Sequence, residues 1–289
     1  MATADRIAEV DNDTLEQNPG PFEALYKHWE RHQWSPYDID LTTDAESFQA
    51  LTESEQQGFI WVFSHRFTAE SQVALQLAPF LEHAPDWAMQ IAISTQIADE
   101  HRHLQSVLRV YEEVFGVTGG VDTVAQIATD NMDVVMETLE GELQRWVGGL
   151  RDTGTPEAYF KAVNAYHLAA EGVIARTAQN LTAGQYQRFG TFPGLTEGQR
   201  HVARDEARHI GIGVAYVRRV LEQEPAAREW LEDVMDAFAT QATELLETAL
   251  AADMHDQVVE GYGVEPIAFY EEGMRLLRMR LRSVGYLTD

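Results

Sequence analysis

Residues 98–103 read Ala98-Asp99-Glu100-His101-Arg102-His103, and residues 204–209 read Arg204-Asp205-Glu206-Ala207-Arg208-His209. Each stretch contains Glu-x-x-His with an Asp directly before the Glu, and each is flanked by apolar residues inside a segment of helical periodicity. On a helix, residues i and i+3 lie about 60° apart around the axis and roughly 4.5 Å apart along it. The Glu and His of one copy can therefore converge on a single ion. One copy is a common accident of a solvated helix face; two matched copies are not.

An additional glutamate stands upstream of each copy. Glu70 lies thirty positions before Glu100, and Glu171 lies thirty-five before Glu206. Both gaps suit a helix returning antiparallel beside another. Glu from two helices and Glu-x-x-His from two others is the dinuclear carboxylate arrangement of ferritin-like bundles. Four carboxylates facing one core without metal would be very costly, so the pattern predicts an all-α ferritin-like bundle with a dinuclear site in its four-helix core. The predicted metal ligands are Glu70, Glu100, His103, Glu171, Glu206 and His209. Asp99 and Asp205 are each placed to accept the free ring N–H of the histidine on the partner helix.

Composition agrees with this chemistry and excludes others. The chain has 289 residues and no cysteine, so disulfides, thiolate catalysis and iron–sulfur ligation are excluded and any metal must sit on carboxylates and imidazoles. Against 47 Asp and Glu stand 21 Lys and Arg, a net charge of −26 that argues against nucleic acid or an anionic membrane as partner. All the cations but Lys27 and Lys161 are arginine, a bias that fits either a salty cytoplasm or an Arg-favouring genome. No apolar run approaches the roughly 18–20 residues of a membrane span. The acidic N-terminus lacks the apolar core of a signal peptide, so a cytoplasmic location is expected.

The periodicity predicts helices over residues 21–33, 53–83 (bent before Pro79), 85–115, 122–150, 156–181, 196–224, 226–260 and 265–283. Thr52 with Glu55 forms a capping box, and Thr155-Pro156 reads as N-cap and first helical residue. Connections are short and no linker divides the chain, so residues 1–289 are expected to form one domain, with 1–20 a flexible acidic N-terminus.

With these motifs in place, the chain resembles the ferritin-like superfamily, and more narrowly the small, metal-bearing subunit of class I ribonucleotide reductase, over about residues 20–285. Trp34-Ser-Pro-Tyr-Asp-Ile-Asp-Leu41 is similar to that family's entry segment, and the resemblance implies an electron-transfer triad Trp34–Asp205–His103. Two departures stand out. Val107 occupies the position of the family's radical tyrosine, and the sequence ends soon after Arg282, leaving little room for the tail that docks the large subunit.

The pattern is closer to the ligand-binding oxidases related to that subunit. Their hallmark is a tyrosine five residues before the third Glu, cross-linked through its oxygen to the Cβ of a valine three residues after the first; here these are Tyr166 and Val73. That resemblance implies an O2-dependent oxidoreductase, a homodimer, and a long-chain fatty acid or similar apolar ligand bridging the metals. It also implies manganese at Glu70, Glu100 and His103 and iron at Glu171, Glu206 and His209, with an iron pair as the alternative. Small residues at 169, 170, 172, 175, 211 and 213 either open a tunnel or allow close helix packing. A reductase small subunit, an acyl desaturase or N-oxygenase, and a non-enzymatic acidic bundle remain the competing readings; Val202 stands where N-oxygenases of the superfamily carry a third histidine ligand. The remaining histidines, His101 and His167 among them, lack converging Glu spacing. Arg275, Arg278, Arg280 and Arg282 read as a solvated helix face.

Overall fold

The computed structural model of the chain describes residues 11–249 and 252–287, and among these every regular element is a helix. In chain order they are α1 (Asn12–Gln17), α2 (Phe22–Arg31), α3 (Thr42–Gln49), α4 (Glu53–Gln76), α5 (Ala78–Glu82), α6 (Trp87–Arg109) and α7 (Val121–Asp130). There follow α8 (Val134–Thr153), α9 (Pro156–Val163), α10 (Arg176–Phe189), α11 (Pro193–Gln223), α12 (Ala227–Ala249), α13 (Ala252–Tyr262) and α14 (Pro266–Ser283). None is long and apolar enough to cross a membrane.

Start signals in the sequence act where expected. Thr52 and Glu55 form the reciprocal box that opens α4, and Asp86 and Thr155 accept from Met89 N and Ala158 N to open α6 and α9. Two boundaries differ most from the periodicity, and α3 lies outside the helices it predicts. The stretch expected over 122–150 is broken after Asp130, because Asp133 accepts from Met136 N at 3.0 Å and caps a new helix. The stretch expected to end near 181 continues to Phe189, where Gly190 closes it with φ +67°.

Between α9 and α10 lies a twelve-residue π-helical stretch, Asn164–Ala175, and a shorter one, Val110–Val114, follows α6. The longer one decides the site. In an α-helix, residues five apart point about 140° away from each other. A π-helix closes its hydrogen bonds at i+5 and turns such residues toward the same side. Tyr166 and Glu171 are five apart, so this conformation carries both to one face.

The rod formed by α9, the π stretch and α10 packs with α4, α6 and α11 as the four bundle helices. One apolar cluster contains Ile93, Phe160, Tyr166, Ile210 and Val214; a second contains Phe48, Phe59, Phe63, Val107 and Phe192. Residues 1–10 lie outside the described residues. The expectation of a flexible terminus through residue 20 is corrected for α1, which packs on α11 and buries Leu15 and Glu16. Glu16 ion-pairs with Arg280 and, at 3.0 Å, with Arg176. The reading of the C-terminal arginines as one solvated face is corrected too: Arg275, Arg278 and Arg282 are exposed, but Arg280 is 0% exposed.

Candidate metal centre

The six predicted ligand side chains meet in the bundle core. Glu70 comes from α4, Glu100 and His103 from α6, Glu171 from the π stretch, and Glu206 and His209 from α11. His103 Nδ1 lies 3.3 Å from Glu100 Oε2, 3.5 Å from Glu206 Oε1 and 3.6 Å from Glu70 Oε2. His209 Nδ1 lies 3.3 Å from Glu100 Oε1, 3.6 Å from Glu206 Oε2 and 3.9 Å from Glu171 Oε1. Glu100 and Glu206 each turn one oxygen toward each histidine. Two ligands held about 2.1 Å from one ion stand roughly 3–3.5 Å apart, so these spacings suit a pair of ions that Glu100 and Glu206 would both help to hold. Ligand atoms of Glu70, Glu100 and His103 fall within 4.8 Å of one another, as do those of Glu100, Glu206 and His209.

The donor chemistry also fits. His103 Nδ1, His209 Nδ1, Glu171 Oε2 and Glu206 Oε2 are buried without a hydrogen-bond partner. Buried polar atoms are rarely orphaned without cause, and here four of them border one space. The opposite edge of each imidazole is engaged: His103 Nε2 lies 3.3 Å from Asp205 Oδ2, and His209 Nε2 lies 3.2 Å from Asp99 Oδ2. A proton on Nε2 leaves the Nδ1 lone pair facing inward.

The ionisation of the ligand side chains reflects the same crowding of charge. Burial pushes the Glu70 carboxyl up to about 7, and burial with the Glu206 charge drives Glu171 well above the usual carboxylate range. Burial works against charge on Glu100 too, yet His209 and His103 outweigh it and hold Glu100 well below its ordinary value. Both imidazoles are raised despite burial, His103 foremost by Glu70 and His209 by Glu100.

Around the ligands the hydrogen-bond chains form a partial two-fold, in which Trp29 is the counterpart of Trp34. Trp34 Nε1 donates to Asp205 Oδ2 at 2.7 Å, bringing Trp34, Asp205 and His103 into one chain. Trp29 Nε1 donates to Asp99 Oδ1 at 2.9 Å, making a matching chain to His209. Arg102 lies 3.1 Å from Asp99 and 3.4 Å from Asp205, and Arg208 pairs with Asp99 at 2.6 Å. The signal was available: both motif copies read Asp-Glu-x-Arg-His.

Gln96 was missed as well. It sits one turn before Glu100, and its Nε2 donates to Glu171 Oε1 at 2.8 Å and Glu100 Oε1 at 3.3 Å. Its orientation is fixed by His167 Nε2, 3.0 Å from Gln96 Oε1. Burial pulls the His167 pKa down to about 3, so this ring is neutral and donates. His167 does not face the ligands, but it positions the amide that does.

Tyr166 is fully buried, and its hydroxyl lies 3.5 Å from the Val73 carbonyl oxygen. Burial and the surrounding glutamates hold the phenol well above its usual pKa, so it remains protonated at neutral pH. Both residues line a cavity of about 420 Å³ that also reaches Glu70, Glu100, Glu171 and Glu206. Leu143, Val173, Phe238 and Leu277 are among its apolar walls. The small residues divide between the two roles expected for them. Ala169, Ala170 and Ala175 line the cavity. A Cβ on Gly172, Gly211 or Gly213 would stand 2.9 Å from Arg280 Nε, 2.7 Å from Leu15 O or 2.4 Å from His167 Cβ, so these glycines serve close packing.

A family model described as ribonucleotide reductase, small chain, matches residues 19–265, and the chain belongs to that family. Its fold is similar to solved structures of R2-like ligand-binding oxidase. One variant with an anaerobically reconstituted Mn/Fe cofactor shares 20% identity at a TM-score of 0.79, covering 93% of this chain and 94% of that chain. Another, with an aerobically reconstituted Mn/Fe cofactor, also shows 20% identity and a TM-score of 0.79, covering 91% of this chain and 97% of that one.

Proposed function

We propose that this member of the ribonucleotide reductase small-chain family is an O2-dependent oxidase, folded as a single ferritin-like domain. Its metals, manganese and iron or an iron pair, are held by Glu70, Glu100, His103, Glu171, Glu206 and His209. The observation that carries this reading is the pair of inward-facing, unpartnered Nδ1 atoms, each surrounded by carboxylate oxygens of two shared glutamates. When bound, the metal pair supplies electrons to dioxygen and the oxidising power to break an unactivated C–H bond.

The chain's own residues direct that power. Asp99 and Asp205 hold the imidazole tautomers, and Gln96 restrains Glu171. Trp34, hydrogen-bonded to Asp205 and stacked 4.9 Å from His201, is the electron-entry residue. The first substrate is the chain itself. The Val73 Cβ–H and Tyr166 O–H bonds break, one C–O bond forms, and two protons and two electrons pass to dioxygen. The cavity takes a long-chain fatty acid or similar apolar ligand. The protein works as a homodimer in the cytoplasm, a reading to which Trp87 and Ile91, exposed one turn apart on α6, lend an apolar surface.

Small-subunit function in nucleotide reduction is the second reading, favoured by the family match. Val107 weighs against it, since a buried aliphatic side chain stores no radical. Intact mass before and after aerobic Mn/Fe loading decides between them. Loss of two hydrogens, mapped to a linked Val73–Tyr166 peptide and absent in Tyr166→Phe, supports the oxidase. Unchanged mass at full metal occupancy, with nucleotide reduction on adding a large subunit, supports the alternative.

A further inference from the structure

The second half of α2 carries two aromatic rings and an acid on one face. Tyr26, Trp29 and Glu30 stand at spacings of three and four, so their side chains meet across adjacent turns. The Tyr26 and Trp29 ring centroids lie 5.9 Å apart, and the Tyr26 hydroxyl donates to Glu30 Oε1 at 2.8 Å. Glu30 is exposed, and its hydrogen bond and charge lift the phenol above its ordinary pKa, so Tyr26 holds its proton at neutral pH.

The inner end of this face reaches the metal centre through one residue. Asp99 is 0% exposed and divides its two oxygens: Oδ1 accepts from Trp29 Nε1 at 2.9 Å, and Oδ2 lies 3.2 Å from His209 Nε2. Arg102 and Arg208 hold the carboxylate at 3.1 and 2.6 Å, which keeps it in line between indole and imidazole. A continuous series therefore runs His209, Asp99, Trp29, Tyr26, Glu30, from a predicted metal ligand to a carboxylate in solvent. In a chain without cysteine, indole and phenol are the side chains that most readily give up single electrons. Trp34, by contrast, is flanked by His201, stacked at 4.9 Å, and by Arg102, 5.6 Å over its ring, neither of which donates an electron.

We propose that Trp29 and Tyr26 form a second one-electron path, separate from Trp34, that carries oxidising equivalents from the His209 side of the metal centre to the protein surface, with Glu30 taking the proton. This rests on the reading of the protein as an O2-dependent oxidase, since the oxidised metal pair is the electron acceptor. One electron passes from Trp29 to that acceptor through Asp99 and His209, and the indole keeps its N–H, held by the Asp99 carboxylate. Tyr26 then refills Trp29: its O–H bond breaks, the electron goes to the indole, and the proton goes to Glu30. A thiol or ascorbate in solution returns one hydrogen atom to the Tyr26 oxygen, leaving a thiyl or ascorbyl radical, and Glu30 releases its proton to water. The path discharges oxidising power at the surface when no C–H bond is in place to receive it.

The test uses the full chain with Tyr166→Phe as parent, so that the internal C–O bond does not compete for oxidising power. The parent is loaded with manganese and iron without oxygen, then mixed with dioxygen in the presence of catalase and a nitroso spin trap. Peptide mass mapping counts trap adducts on Tyr26, Trp29, Tyr37 and Trp87, comparing the parent with added Trp29→Phe, Tyr26→Phe or Glu30→Gln at matched metal content. Tyr37 and Trp87, 67% and 80% exposed, report any oxidant in bulk solution, whereas Tyr26 is half-buried. The path predicts more adducts on Tyr26 than on Tyr37 or Trp87 in the parent. Trp29→Phe brings Tyr26 down to their level, and Tyr26→Phe shifts the adducts to Trp29. Glu30→Gln keeps the shape of the side chain without taking the proton, so Tyr26 labelling falls and Trp29 labelling rises. If Trp29 only orients Asp99, Trp29→Phe leaves the Tyr26 adducts unchanged at equal metal content, and that result overturns the path. Equal labelling of Tyr26, Tyr37 and Trp87 in the parent, or Tyr26 labelling untouched by Glu30→Gln, overturns it too. Dioxygen uptake is recorded in the same samples. Uptake with Tyr26 spared overturns the path alone; absence of uptake overturns the oxidase reading and the path with it.

Discussion

Arg280→Leu should unfold more of this protein's stability than any exposed arginine change on α14. Arg280 Nε donates to the Gly172 carbonyl at 3.0 Å, and Nη2 pairs with the buried Glu16 carboxylate. Arg280 and Glu16 are each about 1% exposed or less, and Gly172 is buried. Removing one member of a buried pair leaves the other charged and poorly solvated, at a typical cost of about 3–5 kcal/mol. Glu16 keeps Arg176 at 3.0 Å, and Arg176 is partly exposed, which places the expected loss near the lower end, about 3–4 kcal/mol. At roughly 2 °C per kcal/mol for a chain of this size, the thermal midpoint should fall by about 6–8 °C. Because Gly172 follows Glu171, the same variant should also weaken metal binding at the His209 side. The control is the pair Glu16→Leu with Arg280→Leu, which removes both charges and should recover about 2 kcal/mol relative to Arg280→Leu alone. Urea or thermal unfolding of the four members of this cycle provides the numbers. A single-variant loss under about 1 kcal/mol, or strictly additive losses, would refute the buried clamp.

Asp99→Asn, which disturbs the acceptor of His209 and the partner of Arg208, should lower metal affinity about 10–100-fold in a chelator competition; a change under twofold would deny Asp99 its orienting role. His28 is pushed down to about 4, burial being the main cause, so the folded state resists its protonation. Its contribution is complete above pH 6.5 and is lost as pH falls toward 4, at most about 3 kcal/mol. His28→Leu should flatten stability between those pH values, and a curve parallel to wild type would contradict this. Gly213→Ala places a methyl 2.4 Å from His167 Cβ and should cost about 1–3 kcal/mol in urea unfolding; a neutral effect would show that the helices separate freely there.

What the sequence made legible was whatever depends on spacing within one helix. The Glu-x-x-His pairs declare their shared face by i,i+3 geometry alone, and the capping residues mark helix starts because the cap is local. Gln96 was equally readable, four residues before Glu100 on the same face. Arg280 was misread although it follows Leu276 by four residues and precedes Ser283 by three, a stripe that is buried throughout. Its charge masks that periodicity. Trp29 and the carboxylate cluster around Arg102 depend on which helices meet, which no single helix records. The π stretch was invisible for a related reason. Its cost is repaid only by packing and by the joint placement of Tyr166 and Glu171, so no local propensity announces it.

Glu100 and Glu206 would each serve both ions of a metal pair, and metal content per chain tests this most directly. After loading with manganese and iron and removal of loosely bound metal, wild type should retain two ions per chain. Glu70→Ala should retain one, because Glu70 approaches only His103. Glu100→Ala should lose both, because its two oxygens serve the two histidines separately. Wild type that holds fewer than two ions, or Glu100→Ala that still holds two, would contradict the account.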